Sequence, residues 1–202
     1  MSRETTYPLM EHFFTLQGEG FNTGKSAYFL RLGGCDVGCV WCDVKDSWDA
    51  AVHPRTAVSS MVDHVILAGA TRVVVTGGEP CMYDLAPLTD ALHGAGVECY
   101  LETSGAYPVT GTWDWVCVSP KKFKGPLESS LQRADELKVV IYNRHDFSWA
   151  EEHARSVRSD CRLYLQPEYS VFDKVVPLMV DYVKAHPAWS ISIQTHKVMG
   201  VE

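Results

Sequence analysis

The sequence has 202 residues, of which 46% are apolar and 21% are charged, and its formal net charge at pH 7 is −7. This size and composition predict one globular domain that spans residues 1–202. The negative charge argues against binding of nucleic acid, which needs a basic surface, and no apolar run approaches the ~20 residues that cross a membrane.

The cysteines and the N-terminal stretch bear on the cellular compartment. Seven cysteines without paired spacing are typical of a reducing cytosol rather than of a disulfide framework. The first residues, MSRETTYPL, lack the apolar segment of a secretory signal. We therefore expect a cytoplasmic protein.

Strand-like and helix-like segments alternate along the chain. Short β-branched or apolar runs predict strands, and apolar residues at helical spacing predict helices. The first helix follows Pro54, and Asp84 is the expected N-cap of the second. The predicted strands cover residues 9–16, 27–32, 72–76, 97–102, 115–119, 137–142, 162–166 and 189–194, and the later helices cover residues 127–134, 145–157 and 172–186.

This alternation determines the expected fold class. Continuous apolar strands separated by helices are typical of a mostly parallel sheet that helices cover. A closed barrel of eight such units needs about 250 residues, more than this chain has. The sequence therefore predicts an α/β fold, a modified, partial (βα) barrel of about six parallel βα units.

Polar or glycine-rich clusters follow six of the predicted strands. Ligands bind at the carboxyl ends of the strands in parallel α/β folds, so clusters at the same end of six strands predict one site. These clusters are the cysteine-containing loop 35–42 and the segments 76–80, 102–105, 119–121, 166–167 and 194–197.

Cys35, Cys39 and Cys42 lie within eight residues, and no fourth cysteine lies near them. A [4Fe–4S] cluster normally takes four thiolates, so three would leave one iron open to bind a small molecule. A zinc site takes four ligands, and here the fourth would be a residue such as Asp36 or His53. Zinc and unligated thiols are the alternatives. We expect the other cysteines to be buried in the core: Cys81, Cys99, Cys117 and Cys161.

The spacing C-x3-C-x2-C, with Trp41 before the last cysteine, resembles the signature of the radical S-adenosylmethionine superfamily, and TGGEP at 76–80 resembles its GGEP motif. The resemblance implies the radical S-adenosylmethionine type of partial barrel, with a [4Fe–4S] cluster on the three cysteines. The alternative for the segments 102–105 and 119–121 is that their polar residues only cap helices or form turns. The residues implied to bind S-adenosylmethionine are Trp41, Cys42, Asp43, Gly77, Gly78, Glu79, Glu102, Ser104, Ser119, Pro120 and Lys121.

The segment LQGEG at 16–20 offers the amide of Gln17 and the carboxylate of Glu19. These groups match the edge of a guanine-like or pterin-like ring, which presents a carbonyl, a ring N–H and an amino group. Arg31 suits a two-pronged pair with a substrate carboxylate, and a structural ion pair is the alternative. His196 follows a predicted strand and is either a structural histidine or a ligand contact.

Eight stretches resemble, in order, the 7-carboxy-7-deazaguanine synthase family: FFTLQGEG, FLRLGGCDVGCVWCD, VVVTGGEPC, LETSG, VSPK, DELKVVI, LQP and QTHKVMG. The resemblance implies a homodimer, S-adenosylmethionine as a true cofactor, and an electron donor such as flavodoxin or ferredoxin. It implies radical ring contraction of 6-carboxy-5,6,7,8-tetrahydropterin to 7-carboxy-7-deazaguanine with loss of ammonia, in queuosine or other 7-deazapurine biosynthesis. The implied substrate-binding residues are Leu16, Gln17, Gly18, Glu19, Arg31, Thr76 and His196.

The chain departs from this family pattern at one position. The family reads Cys-Asp-Thr, where the threonine hydroxyl is a magnesium ligand, but this chain reads Cys42-Asp43-Val44. Valine has no donor atom, and magnesium requires oxygen ligands in near-octahedral geometry. Either water or a carboxylate such as Asp43 completes the shell, or the metal is weak, absent or replaced. We therefore expect a reduced dependence of activity on Mg²⁺.

Three other functions remain open. Another small radical S-adenosylmethionine enzyme, such as a glycyl-radical activating enzyme, would share the cysteine motif but leaves LQGEG and QTHK unexplained. A zinc-stabilised binding module would use the cysteines without catalysis. The third is a protein that keeps the fold but has lost catalysis, and Val44 is the only reason to consider it.

Overall fold

The computed structural model describes residues 4–201, in which nine strands form one sheet. The strands are β1 (Thr6–Leu16), β2 (Ser26–Leu32), β3 (Arg55–Ala57), β4 (Arg72–Gly77), β5 (Glu98–Thr103), β6 (Trp115–Val118), β7 (Glu136–Ile141), β8 (Arg162–Pro167) and β9 (Trp189–Ile191). The α-helices are α1 (Val58–Leu67), α2 (Ala86–Gly94), α3 (Glu128–Leu131), α4 (His145–Ala154), α5 (Phe172–Ala185) and α6 (Thr195–Met199).

The sheet is mostly parallel and open. Its strand order is β3-β1-β2-β4-β5-β6-β7-β8-β9, in which β1 pairs antiparallel with β2 and β3, and the neighbours from β2 to β9 pair in parallel. After β2 the chain forms β3 before α1, β5 connects directly to β6, and each of the other parallel strands is followed by a helix, so the described chain has six βα units. The predicted α/β fold with a partial barrel of about six parallel units is confirmed.

Helices cover one face of the sheet and bury the main apolar core. The fully buried side chains include Met61 and Val65 of α1, Leu88 and Leu92 of α2, and Met179 of α5. They recur at three- or four-residue spacing because that spacing places side chains on one face of a helix. The packing of these helices against the strands holds the strands in place, and the polar loops that follow the strands are positioned by them.

The opposite face of the central strands carries polar side chains. Leu30 of β2, and Leu137 and Val139 of β7, join the apolar core, whereas Arg31 and Lys138 line a cavity on the other side. This alternation follows from the two-residue period of a strand. The sheet thus separates a dry core from a polar cavity.

Three short elements differ from what the sequence predicts. The predicted strand 189–194 is wrong beyond Ile191, because β9 pairs with β8 only up to Ile191 and α6 begins at Thr195. Strand β3 adds three residues between Pro54 and α1 and pairs with the start of β1. The helix predicted at 127–134 is confined to the four residues of α3. Each is too short for a periodic pattern to show.

The start of α2 also differs from the prediction. The helix begins at Ala86, and Leu85 rather than Asp84 occupies the N-cap position. The carboxylate of Asp84 still accepts a hydrogen bond from the backbone N–H of Ala86 at 3.1 Å, and Thr110 Oγ1 accepts one from the N–H of Leu85 at 2.8 Å. Two side chains therefore satisfy the donors that one N-cap was expected to satisfy.

No helix within residues 4–201 has the length and apolar character needed to span a membrane. The predicted domain 1–202 includes residues 1–3 and 202, which lie outside the described residues. Cys81, Cys99, Cys117 and Cys161 are all buried and free of disulfides, as predicted.

Candidate active site

A cavity of about 320 Å³ lies where the carboxyl ends of the parallel strands meet. It brings together the three motif cysteines and every predicted binding residue except Glu79 and Pro120. The predicted residues at the cavity are Leu16, Gln17, Gly18, Glu19, Arg31, Cys35, Cys39, Trp41, Cys42, Asp43, Thr76, Gly77, Gly78, Glu102, Ser104, Ser119, Lys121 and His196. One cavity therefore contains the predicted cofactor-binding and substrate-binding sets together.

The cysteine loop follows β2 and packs at one side of this cavity. Cys39 is buried with Val37 and Ala106, and Cys35, Trp41 and Cys42 pack against that small cluster. The backbone N–H of Cys42 donates to the carbonyl of Cys39 at 3.2 Å, which folds the C-x2-C segment into a turn. Burial raises the pKa of the thiols of Cys35 and Cys39 above their usual value. In the metal-free protein these two thiols are therefore protonated at pH 7.

The sulfurs of Cys35, Cys39 and Cys42 do not all lie within 4.8 Å of one another. Among residues 4–201, the one group of three or more His, Cys, Asp or Glu ligand atoms within 4.8 Å of one another is His93, Cys99 and Asp114, at the other end of the sheet. Thiolates on one tetrahedral zinc lie only about 3.8 Å apart, as follows from the Zn–S bond length. Thiolates on separate irons of a cubane lie further apart, so the donor set fits a [4Fe–4S] cluster.

The GGEP loop packs directly on the cysteine loop. The N–H of Gly78 donates to the carbonyl of Leu32 at 2.9 Å, and the N–H of Glu79 donates to the carbonyl of Gly34 at 2.8 Å. A Cβ on Gly78 would lie 2.7 Å from the Cβ of Cys35, too close for any side chain. The position must therefore be glycine for the two loops to meet.

Glu79 is buried and does not reach the cavity. Its carboxylate accepts hydrogen bonds from Thr103 Oγ1 at 2.5 Å, from the N–H groups of Cys81 and Ser104 at 3.0 and 2.8 Å, and from the hydroxyl of Ser104. Glu79 therefore joins the GGEP loop to the loop after β5. Glu79 was predicted to bind S-adenosylmethionine, but its buried carboxylate is placed to orient the loop rather than to contact a ligand in the cavity.

Lys121 places a cation beside the cysteine loop. Its Nζ donates to Ser119 Oγ at 2.6 Å and lies 5.5 Å from the centroid of the Trp41 ring. Burial lowers the pKa of this ammonium. Pro120, between these two residues, does not line the cavity.

The C-terminal QTHK segment closes the cavity against LQGEG. The N–H and hydroxyl of Thr195 both donate to the carbonyl of Gly18, at 2.9 and 3.0 Å, and Gln194 Nε2 donates to Glu19 Oε1 at 2.8 Å. The ring of His196 lies against Gly18, and burial lowers the pKa of this histidine, so the ring is neutral at pH 7. The two predicted substrate segments, 175 residues apart in sequence, form one wall.

A buried lysine, Lys138 of β7, joins two carboxylates at the cavity wall. Its Nζ donates to Glu19 Oε2 at 2.6 Å and to Glu102 Oε2 at 2.9 Å. Gln17 Nε2 donates to the other oxygen of Glu102 at 3.1 Å. Glu102, predicted to bind S-adenosylmethionine, thus shares a hydrogen-bond network with the predicted substrate residues.

The positive charge of Lys138 lowers the pKa of the neighbouring carboxylate of Glu19. Although burial alone would raise it, the pKa of Glu19 is lowered to about 2 by the ammonium of Lys138 and by hydrogen bonds from Lys138, Gln194 and Gln166. Lys138 was missed as a site residue. Its signal in the sequence is a lysine inside the otherwise apolar run LKVVI, because a lysine is rarely buried without a partner.

Glu136 lies two residues before Lys138, on the same face of β7, and hydrogen-bonds to the residue that follows LQGEG. Its carboxylate accepts hydrogen bonds from the N–H of Phe21 at 3.0 Å and from Trp115 Nε1 at 3.3 Å. Burial raises the pKa of Glu136. The hydrogen-bond partners of this carboxylate are groups of the protein, and Glu136 does not line the main cavity.

Arg31 lies on β2 beside Thr76 of β4, and both line the cavity. The Nε of Arg31 donates to Glu11 Oε1 at 2.5 Å, so the predicted alternative of an ion pair is present. The remaining guanidinium donors stay available to a ligand, because a guanidinium carries five N–H groups. The ion pair and the predicted contact with a substrate carboxylate are therefore compatible.

A scan against models of protein families gives no match. The chain is 52% identical over 194 residues to 7-carboxy-7-deazaguanine synthase from Flavobacterium psychrophilum, covering 96% of this chain and 92% of the relative. The enzymes of the same name from Synechocystis sp. and Escherichia coli are 46% and 37% identical, covering 97% and 96% of this chain and 94% and 99% of the relatives.

A solved structure shows the same fold. The crystal structure of QueE from Escherichia coli superposes with a TM-score of 0.83 at 35% sequence identity, over 94% of each chain. The matched motifs, the shared fold and the full-length similarity agree, and the chain belongs to the 7-carboxy-7-deazaguanine synthase family.

Proposed function

We propose that the protein is a radical S-adenosylmethionine carbon–nitrogen lyase. It converts 6-carboxy-5,6,7,8-tetrahydropterin to 7-carboxy-7-deazaguanine and ammonia. These two products together contain every atom of the substrate. The observation that carries the proposal is the single cavity in which three cysteines face a wall of Gln17, Glu19 and Glu102. The names of the relatives support the same reaction.

The donor set fits the cofactors that this reaction needs. Cys35, Cys39 and Cys42 would hold a [4Fe–4S] cluster, and Gly78, Ser119 and Lys121 would bind S-adenosylmethionine beside it. When bound, the cluster and S-adenosylmethionine supply radical hydrogen abstraction from the substrate. An electron donor such as flavodoxin or ferredoxin, and a homodimeric assembly, belong to this proposal.

The chain's own residues bind and orient the pterin. Arg31 pairs with the substrate carboxylate, and the carboxylates of Glu19 and Glu102 accept hydrogen bonds from the amino group and ring N–H. The neutral ring of His196 covers Gly18 and restricts the access of water to this wall. The protein's contribution is therefore position and exclusion of water.

The test is anaerobic reconstitution with iron, sulfide, S-adenosylmethionine, a reductant and the carboxy-pterin, followed by mass spectrometry of the products. We expect 7-carboxy-7-deazaguanine in the wild type and none in Cys39→Ala. The control Cys117→Ala, a buried cysteine outside the cavity, keeps its cluster. With deuterium at substrate C6, the label should appear in recovered S-adenosylmethionine, and no transfer at all would contradict the proposed reuse of the cofactor.

A zinc-stabilised binding module is the second candidate. The three sulfurs do not all lie within 4.8 Å of one another, whereas thiolates on one zinc would. Metal analysis after anaerobic purification separates the two, because the enzyme should carry about four irons with sulfide per chain and the binding module one zinc.

A further inference from the structure

The inference concerns Lys138 and rests on the proposed function. Its side chain is only 4% exposed, and its ammonium touches Glu19 and Glu102, which both line the cavity. A buried ion pair is stabilising only when geometry and further hydrogen bonds compensate for lost hydration. Replacement of a buried ion pair by apolar side chains is often neutral or stabilising, so stability alone does not explain this arrangement.

Other ionisable groups also face Lys138, and each has its own partner. Glu136 accepts from Phe21 and Trp115, and the thiol of Cys117 contacts Glu136 at 3.6 Å. Lys121 donates to Ser119 on the cysteine side of the cavity. His196, neutral at pH 7, lies against Gly18. Glu19 and Glu102 are the carboxylates in this group that combine a contact to Lys138 with a place on the cavity wall.

Both carboxylates retain acceptor capacity after their protein contacts are made. An ionised carboxylate has about four lone-pair positions. Glu19 receives Lys138 on one oxygen and Gln194 on the other, with a further hydrogen bond from Gln166. Glu102 receives Lys138 and Gln17 on separate oxygens, with a further hydrogen bond from the thiol of Cys117, so each carboxylate keeps about one free position. The lone pairs that remain can accept hydrogen bonds from a ligand in the cavity.

We propose that Lys138 is a positioning and specificity-determining residue, which holds the carboxylates of Glu19 and Glu102 side by side so that they accept only from the donor edge of a 2-amino-4-oxo heterocycle. A 2,4-dioxo ring presents a carbonyl where the amino group would be, and that carbonyl faces a carboxylate. Two acceptors face to face leave a buried polar group unsatisfied, so the dioxo ring is excluded.

Removal of the Lys138 ammonium changes which hydrogen bonds Glu19 and Glu102 can make with a ligand. In Lys138→Met, two like charges share a small volume, and one carboxylate takes up a proton. A protonated carboxyl donates a hydrogen bond as well as accepting one. The variant should therefore bind the amino ring less tightly and tolerate the dioxo ring better.

The experiment measures binding rather than turnover. Holoprotein with S-adenosylmethionine and without reductant is titrated with 6-carboxypterin and with its dioxo analogue, 6-carboxylumazine, and ligand fluorescence reports the dissociation constants. The variants are Lys138→Met, Lys138→Arg and the double variant Glu102→Gln/Lys138→Met. Lys122→Met is the matched control, because Lys122 pairs with Asp146 outside the cavity.

We expect the wild type, Lys138→Arg and Lys122→Met to prefer the pterin, with similar pH dependence. Lys138→Met should bind the pterin roughly 10- to 100-fold more weakly, the range of one charged hydrogen bond. Between about pH 5.5 and 7.5 its affinity for the pterin should rise with pH as the shared proton leaves. The double variant has one carboxylate fewer, so this additional pH dependence should disappear.

Two results would overturn the inference in different ways. If wild type binds the pterin but Lys138→Met matches it in affinity, ring preference and pH dependence, Lys138 has no such role and the proposed function stands. If wild type does not bind the pterin, the proposed function and the inference both fail. If Lys138→Met does not fold, the preference for the pterin over the dioxo ring is compared among wild type, Lys138→Arg and the double variant. An equal preference in all three contradicts the inference.

Discussion

The imidazole of His196 lies directly against the Cα of Gly18. A Cβ on Gly18 would lie 2.7 Å from His196 Cγ and 2.8 Å from His196 Cβ, so no other residue fits without moving the histidine. The segment that carries His196 is also held by hydrogen bonds from Thr195 to the carbonyl of Gly18. A single missing methyl group thus allows the C-terminal segment to complete the cavity wall.

The first prediction concerns Gly18→Ala. The added methyl group must displace His196, so we expect a loss of about 1–3 kcal/mol in the free energy of unfolding and weaker binding of carboxy-pterin. Gly94→Ala is the matched control, because Gly94 lies in α2 with open space around it. That change should be neutral or stabilising by up to about 1 kcal/mol. Thermal unfolding and ligand titration measure both effects, and equal behaviour of the two variants would contradict the prediction.

Glu79→Gln tests whether the buried carboxylate organises two loops. The carboxylate accepts from Thr103, Ser104 and Cys81, and an amide would present its NH₂ group to at least one of these donors. We expect the free energy of unfolding to fall by about 1–3 kcal/mol and iron content after reconstitution to fall with it. Glu152→Gln, at an exposed position of α4, should change stability by less than about 0.5 kcal/mol. Unchanged iron content in Glu79→Gln would show that the GGEP loop does not depend on this carboxylate.

Cluster loading should depend on pH. Burial raises the pKa of Cys35 and Cys39 above 9.0, so their thiols hold protons at pH 7, whereas iron binds the thiolate. A higher pH increases the thiolate fraction, so the initial loading rate should rise between about pH 7 and 8.5. Absorbance of the cluster and iron content measure the rate. At Cys39 the ammonium of Lys121 offsets part of the rise in pKa that burial causes, so Lys121→Met should load more slowly at pH 7, and Lys122→Met should not. A rate that is flat with pH would contradict this explanation.

Val44→Thr tests the departure from the family pattern. Val44 lines the cavity next to Asp43 and offers no oxygen to magnesium. We expect the wild type to respond weakly to added Mg²⁺ and Val44→Thr to respond several-fold more, in turnover assays at saturating substrate. Val44→Ala controls for the change in side-chain volume. A steep Mg²⁺ requirement in the wild type that threonine does not increase would contradict the prediction.

Much of the fold follows from local patterns. The short β-branched run RVVVT predicts a strand, and β4 contains it, because β-branched side chains favour strands and a continuous apolar run suits a parallel sheet. The clusters after the strands converge because parallel strands share one carboxyl edge. The elements that escaped prediction, β3 and α6, are three and five residues long and owe their form to pairing with β1 and Gly18.

By itself, the sequence determined the alternation of strands and helices, the ends at which polar residues collect, and the unpaired set of three cysteines, because each depends on neighbours within a few residues. Only the tertiary structure decided which side chains meet across the cavity. Lys138 lies 119 residues from Glu19 and 36 from Glu102, so no local pattern links them. Strand order and register place them together, and burial then makes their charges depend on one another.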